Sequence, residues 1–378
     1  MNGNELHQGT IWVYIFVIVS AVGVAFLSYK KGYTRIENGV TLYCQPRINK
    51  VGMVVTFLIL WSLLALANCG TDTGAYNDLF LNAFDWDYCT SYHQMEVGFA
   101  TLNALIRIFT TKTEVYNAVL AFLFLLFTFV ALWKLKNDVH FGWAILAFAT
   151  TFYLQYINLK RIYLASAIIL YALTFLIRKQ NLKYAIWVVV ATLIHTSAVM
   201  MFAPLIIQGF FTKKYKLWHI VAMSTLLICF IYVFRNQIFS IVISERYANY
   251  GVVEGTFGMM QLIYHVPFFW VIARYGNWKN KDFHKICLIL VCMSFILSTM
   301  GYFVLLIGRT FVFFELAFMG GVSIPNIQRN RERKDFTVIR SRDLVNVAFV
   351  AYFGFRLYMY FSGYLFSDGL MPYISIFS

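Results

Sequence analysis

Apolar residues fall along this chain in long runs, broken by short stretches where Lys, Arg, Asp and Glu collect. About 20 apolar residues carry a helix across a bilayer, and most of these runs approach that length. Runs this long and continuous exclude a β-barrel. A bilayer leaves helices as the other way to satisfy the backbone. The pattern therefore predicts an all-α, polytopic integral membrane protein. Twelve transmembrane helices are predicted, at 11–28, 51–68, 115–133, 140–157, 162–177, 184–194, 197–211, 217–234, 259–273, 286–307, 310–325 and 344–366. Those at 184–194 and 197–211 are short and read as a broken or re-entrant pair. The run from Ile11 to Ser28 has no Lys or Arg before it and no small-residue cleavage site after it. It reads as a retained first helix rather than a signal peptide. No linker, low-complexity segment or repeat divides the chain, so 1–378 reads as one transmembrane domain.

Charge then orients these helices. Charged residues make up 13% of the chain, against about 25% in soluble domains. The net charge of +14 does not point to nucleic acid, because 23 of the 31 Lys and Arg sit in six alternate loops. Cytoplasmic loops carry that excess, which puts both termini outside. Outside as well are a large loop, 69–114, and a second loop, 235–258. The large loop holds Asp72, Asp78, Asp85, Asp87, Glu96 and Glu114. It also holds a stretch, Val97 to Phe109, amphipathic enough to lie along the interface. Cys69 and Cys89 both fall in this loop, as a disulfide or as two free thiols.

The stretch from Tyr156 to Ser197 concentrates the chemistry. Two apolar segments flank a basic turn, Arg178 to Lys183. Asn158, Lys160 and Arg161 precede the first segment, and His195-Thr196-Ser197 follow the second. An antiparallel hairpin brings these groups to the same outer surface. Arg suits bidentate phosphate contact and Lys offers a point charge, so the corner reads as an anion site. An imidazole is a side chain suited to moving protons, so His195 is a candidate for proton transfer. Small residues Ala165, Ser166 and Ala167 permit close helix packing. Two further arginines lie in outer turns: Arg246, with Tyr247 and Tyr250, and Arg309, for which Glu315 offers a partner. Asp72, in Gly70-Thr71-Asp72, is the carboxylate best placed to engage a hydroxyl.

No Walker A, His-Glu-x-x-His or Gly-x-Ser-x-Gly motif occurs. Asp85-Trp86-Asp87 is a weak metal-binding pattern, and the reading needs neither metal nor cofactor. A lipid-linked oligosaccharide flippase would line a path through the bilayer centre, where only Glu315 and Arg356 stand out. A membrane acyltransferase would need an intramembrane relay, for which His265 alone is placed.

Asn158-x-x-Arg161-x-x-x-Ala165-x-Ala167, a basic turn, then Leu193-Ile-His195-x-Ser197-Ala198 resembles the EpsG/Wzy-type polysaccharide polymerases of bacteria. Gly70-Thr71-Asp72 with Tyr76, Arg246-Tyr247 with Tyr250, and Arg309 agree with that family. A glutamine usual after the arginine is Ile162 here, and Lys160 is added. The resemblance implies a glycosyltransferase on the outer face of the bacterial cytoplasmic membrane. It would join oligosaccharides carried on undecaprenyl pyrophosphate, for O-antigen, capsule or exopolysaccharide. A chain-length regulator protein and membrane lipids are its implied partners. Arg161, Lys160, Asn158, Arg246, Tyr247, Tyr250, Arg309 and Tyr76 would bind the substrate. His195, Asp72 and Arg161 would be catalytic.

Overall fold

The computed structural model describes residues 3–30, 33–37, 40–44, 46–210, 222, 226, 259–278, 280–300, 309–327 and 336–376. They are mostly helical. In order come α1 (Gly3–Ser28), α2 (Lys50–Leu66), α3 (Thr73–Leu81), α4 (Val97–Phe109) and α5 (Thr113–Lys134). Next, α6 (Phe141–Phe148) passes through a π-helical turn, Ala149–Tyr153, into α7 (Gln155–Asn158). Then follow α8 (Lys160–Leu176), α9 (Asn181–Ile194), a 3₁₀ turn Thr196–Met201 and α10 (Phe202–Phe210). The C-terminal third has α11 (Met259–Tyr275), α12 (Asp282–Met300), a broken helical run over 309–327, and α13 (Phe336–Gly363).

Among the described residues four helical segments are both long and apolar enough to cross a membrane: Gly9–Ser28, Thr113–Lys134, Asp282–Met300 and Asp343–Gly363. Lys50–Leu66, Asn181–Ile194 and Thr196–Gln208 are apolar but shorter. Helix therefore stands at the described apolar runs, while full spanning length belongs to four of them. The run at 217–234 lies almost wholly outside the described residues.

The segment between α1 and α2 is extended rather than helical among its described residues. It forms two antiparallel pairs, β1 (Tyr29–Lys30) with β4 (Arg47–Ile48), and β2 (Tyr33–Glu37) with β3 (Val40–Cys44).

Helix α8 is the centre of the bundle. All but two of its residues are buried, and it packs on α5 and α9. Its small residues, Ala165, Ser166, Ala167 and Ala172, let those neighbours approach closely. Segment 364–376 returns across the bundle to strap the end of α2. Gly70 N donates to Gly369 O (2.9 Å), Thr71 N to Asp368 O (3.0 Å) and Asn68 N to Ile374 O (2.8 Å). Tyr14 on α1 donates to Leu370 O (2.8 Å). Gly70 sits at φ +104°, a region open to glycine, and fits tightly against Ile157 O.

Candidate functional site

The hairpin of α8 and α9 brings its two chemical ends together, and a third element joins them. Leu159 breaks the helix, so α8 restarts at Lys160 and points Arg161 outward. At the other end α9 stops at His195, whose backbone is extended (φ −152°, ψ 116°). Between them comes Glu96, the residue that opens α4. Its approach is set by Gln94, held at φ +48°, a conformation that non-glycine residues seldom adopt.

The Glu96 carboxylate is the hub. Arg161 Nη1 donates to its Oε2 at 2.7 Å, and His195 Nδ1 lies 3.0 Å from its Oε1. The Thr196 backbone N–H donates to Oε1 at 3.2 Å. Burial alone would raise the carboxyl's pKa. The hydrogen bond from His195 and the charge of Arg161 outweigh burial and hold it at about 2, against an ordinary 4.5. Glu96 is therefore ionised at neutral pH, and an ionised carboxylate only accepts hydrogen bonds. Nδ1 of His195 must carry the proton in that contact. In the neutral ring Nε2 is then the acceptor, and among the described residues it has no partner. This is the geometry of a general base held in one tautomer by a carboxylate.

Asn158 builds a second corner beside the first. Its Oδ1 accepts from Thr71 Oγ1 (2.7 Å) and from the Asp72 N–H (3.0 Å), fixing the Gly70–Asp72 turn that starts α3. Asp72 is half-buried and makes no capping bond with its side chain. Lys160 turns inward. It is buried, donating to Asn117 Oδ1 (2.8 Å) and Thr73 Oγ1 (3.3 Å). Desolvation lowers its pKa to about 8. Tyr76 forms the shared floor, its ring 5.3 Å from Lys160 Nζ and 5.9 Å from the Arg161 guanidinium.

Thus Arg161, His195, Lys160, Asn158, Asp72 and Tyr76 gather around one end of the α8–α9 hairpin. The 3₁₀ turn Arg309–Phe311 packs against the turn at 196–201. Arg246, Tyr247 and Tyr250 lie outside the described residues. The partner offered by Glu315 goes elsewhere: Glu315 pairs with Arg356, Nη1 to Oε1 at 3.1 Å, in the buried bundle. Helix packing sets α13 across from 312–315 and leaves Glu315 facing that arginine. His265 pairs instead with Ser294, at 2.9 Å between α11 and α12. Cys69 and Cys89 are both free thiols, each buried in its own pocket. Among the described residues no group of side chains could hold a metal ion. Asp85 instead accepts from the Tyr88 N–H at 2.9 Å.

The residue that sequence reasoning undervalued is Glu96. It appeared there as one of six acidic residues in an outer loop. Its position immediately before the amphipathic stretch was the available signal, because the residue opening a helix is fixed in direction by that helix.

An apolar helical bundle with a charged, hydrogen-bonded corner at its helix ends marks a membrane protein with a polar site. The EpsG family model matches residues 50–375, and the chain belongs to the EpsG family. That family is associated with a glycosyltransferase-like, polysaccharide-polymerase type of function. No curated protein and no solved structure matches the chain.

Proposed function

We propose that this protein is a repeat-unit polymerase. It joins undecaprenyl-pyrophosphate-linked oligosaccharides on the outer face of the bacterial cytoplasmic membrane. The observation that carries this reading is the Arg161–Glu96–His195 chain, in which one carboxylate aligns a base and an arginine. His195 Nε2 takes the proton from an acceptor sugar hydroxyl. The hydroxyl oxygen bonds to the donor's anomeric carbon as the bond from that carbon to the diphosphate breaks. The electron pair leaves with the diphosphate, so no nucleotide is consumed. Fixed positive charge must meet that leaving group, and such stabilisation is usually the largest catalytic contribution. Arg161 supplies it beside the base, with Arg246 and Arg309 from the later outer turns. Asp72 positions the acceptor, and Asn158, Lys160 and Tyr76 brace the turn that carries it. Glu96 acts through His195 and is a positioning residue.

The test is complementation of a deletion strain with Arg161→Ala, His195→Gln and Asp72→Asn, followed by sizing of the surface glycan. Single repeat units are expected from Arg161→Ala and His195→Gln, with the protein still present in membranes. Long polymer from Arg161→Ala would end the proposal.

A further inference from the structure

An open groove of about 350 Å³ lies beside Glu96, between the start of α4 and the end of α9. That volume is at the low end for small-ligand sites. Its polar walls are Thr90, Gln94, Thr192, Thr196 and the Glu96 carboxylate. Thr90 Oγ1 gives its proton to Trp86 O (2.8 Å), and Thr192 Oγ1 gives its own to Val188 O (2.8 Å). The hydroxyl lone pairs are left to accept from a ligand's O–H groups. At the rim, half-exposed Val97 and Leu193 present apolar surface. Hydroxyl acceptors on the walls and an aliphatic rim suit a pyranose, which has O–H groups at its edge and C–H groups on its face.

The charge of the lining narrows the ligand further. No Lys, Arg or His lines the groove, and its one formal charge is the ionised Glu96. Arg161 and His195 engage Glu96 from outside the groove, so a carboxylate on the sugar would meet Glu96 and find no cation of its own on the lining. The groove is also rigid at its back. A Cβ on Gly98 would stand 2.7 Å from Leu193 O, so α4 crosses α9 at backbone contact.

We propose that this groove is the acceptor-sugar subsite, and that it takes a neutral, hydroxyl-rich ring in preference to a uronate. The proposal rests on the polymerase reading, because His195, hydrogen-bonded to the same Glu96, is the base that would receive the acceptor's proton.

The experiment uses the full chain in lipid nanodiscs and saturation-transfer difference NMR. The probes are methyl β-glucopyranoside, N-acetylglucosamine and glucuronate, each alone. Saturation of the two neutral sugars should exceed that of glucuronate by at least about fivefold. Thr192→Trp, which fills the groove, should abolish it. Thr90→Val, which keeps the side-chain volume, should weaken it without changing the melting temperature. Equal or stronger glucuronate saturation, no saturation by any probe, or indifference to both groove variants would overturn the proposal. If the sugars bind as expected while His195→Gln still yields full-length glycan, the polymerase reading fails and the sugar site stands.

Discussion

Replacing Glu96 by Gln changes one oxygen for one NH₂ group, and three contacts respond. The carboxyl is held at about 2 rather than 4.5, and each tenfold change in an acid constant is worth about 1.4 kcal/mol. The cluster thus favours the ionised form by about 3 kcal/mol, an upper figure. The side chains of Glu96, Arg161 and His195 are 12%, 21% and 25% exposed, so solvent trims this value without cancelling it. A native carboxyl that titrates low contributes stability fully above pH 4.5 and loses it as pH falls toward 2. Glu96→Gln should therefore flatten the acid limb of a thermal-melting series taken between those pH values. At neutral pH it should melt lower, by up to about 3 kcal/mol. The chemical effect is sharper. To keep its bond to Arg161, the amide oxygen must face the guanidinium, which turns the NH₂ toward His195 Nδ1. That forces the proton onto Nε2 and removes the base. Transfer should fall by about 10²–10⁴-fold, read as collapse of the glycan ladder in the complemented deletion strain. A variant that keeps native glycan length, or the native loss of stability in acid, would refute the reasoning.

Three other perturbations probe the frame around this corner. Gly98→Ala puts a methyl group 2.7 Å from Leu193 O; it should cost about 1–3 kcal/mol in melting and shorten the glycan, although alanine favours helix. Arg356→Met alone leaves Glu315 buried without its partner and should cost about 3–5 kcal/mol, whereas the double variant with Glu315→Met should melt near the native temperature. The Lys160 ammonium, lowered by burial to about 8 from 10.5, is protonated more readily in the unfolded chain. Stability should therefore rise between those pH values. Lys160→Met should remove that rise in a pH series of thermal melts, and an unchanged rise would place its origin in another group.

Much of this architecture could be read from the residues, for reasons that differ by element. Arg161 and His195 could be paired because a short turn forces two helices antiparallel and so aligns their far ends. Asn158 could be placed near them, but its bonds to Thr71 and Asp72 depend on how the 69–114 loop folds back. Glu96 stayed hidden because a carboxylate in an acidic loop looks solvated. Only the packing of α4 on α9 shows that it is shared by an arginine and a histidine. The Glu315–Arg356 pair crosses separate helices, and no local spacing links residues 41 apart.

The strap at 364–376 also bears on the order of biosynthesis. The turn carrying Asp72 is translated early, yet the backbone carbonyls that brace it belong to Asp368 and Gly369. A ribosome must deliver nearly three hundred further residues before that brace exists. The corner around Asp72 therefore stays incomplete while the nascent polypeptide is being inserted. Ribosome stalling before that point would leave an inserted but unlatched protein.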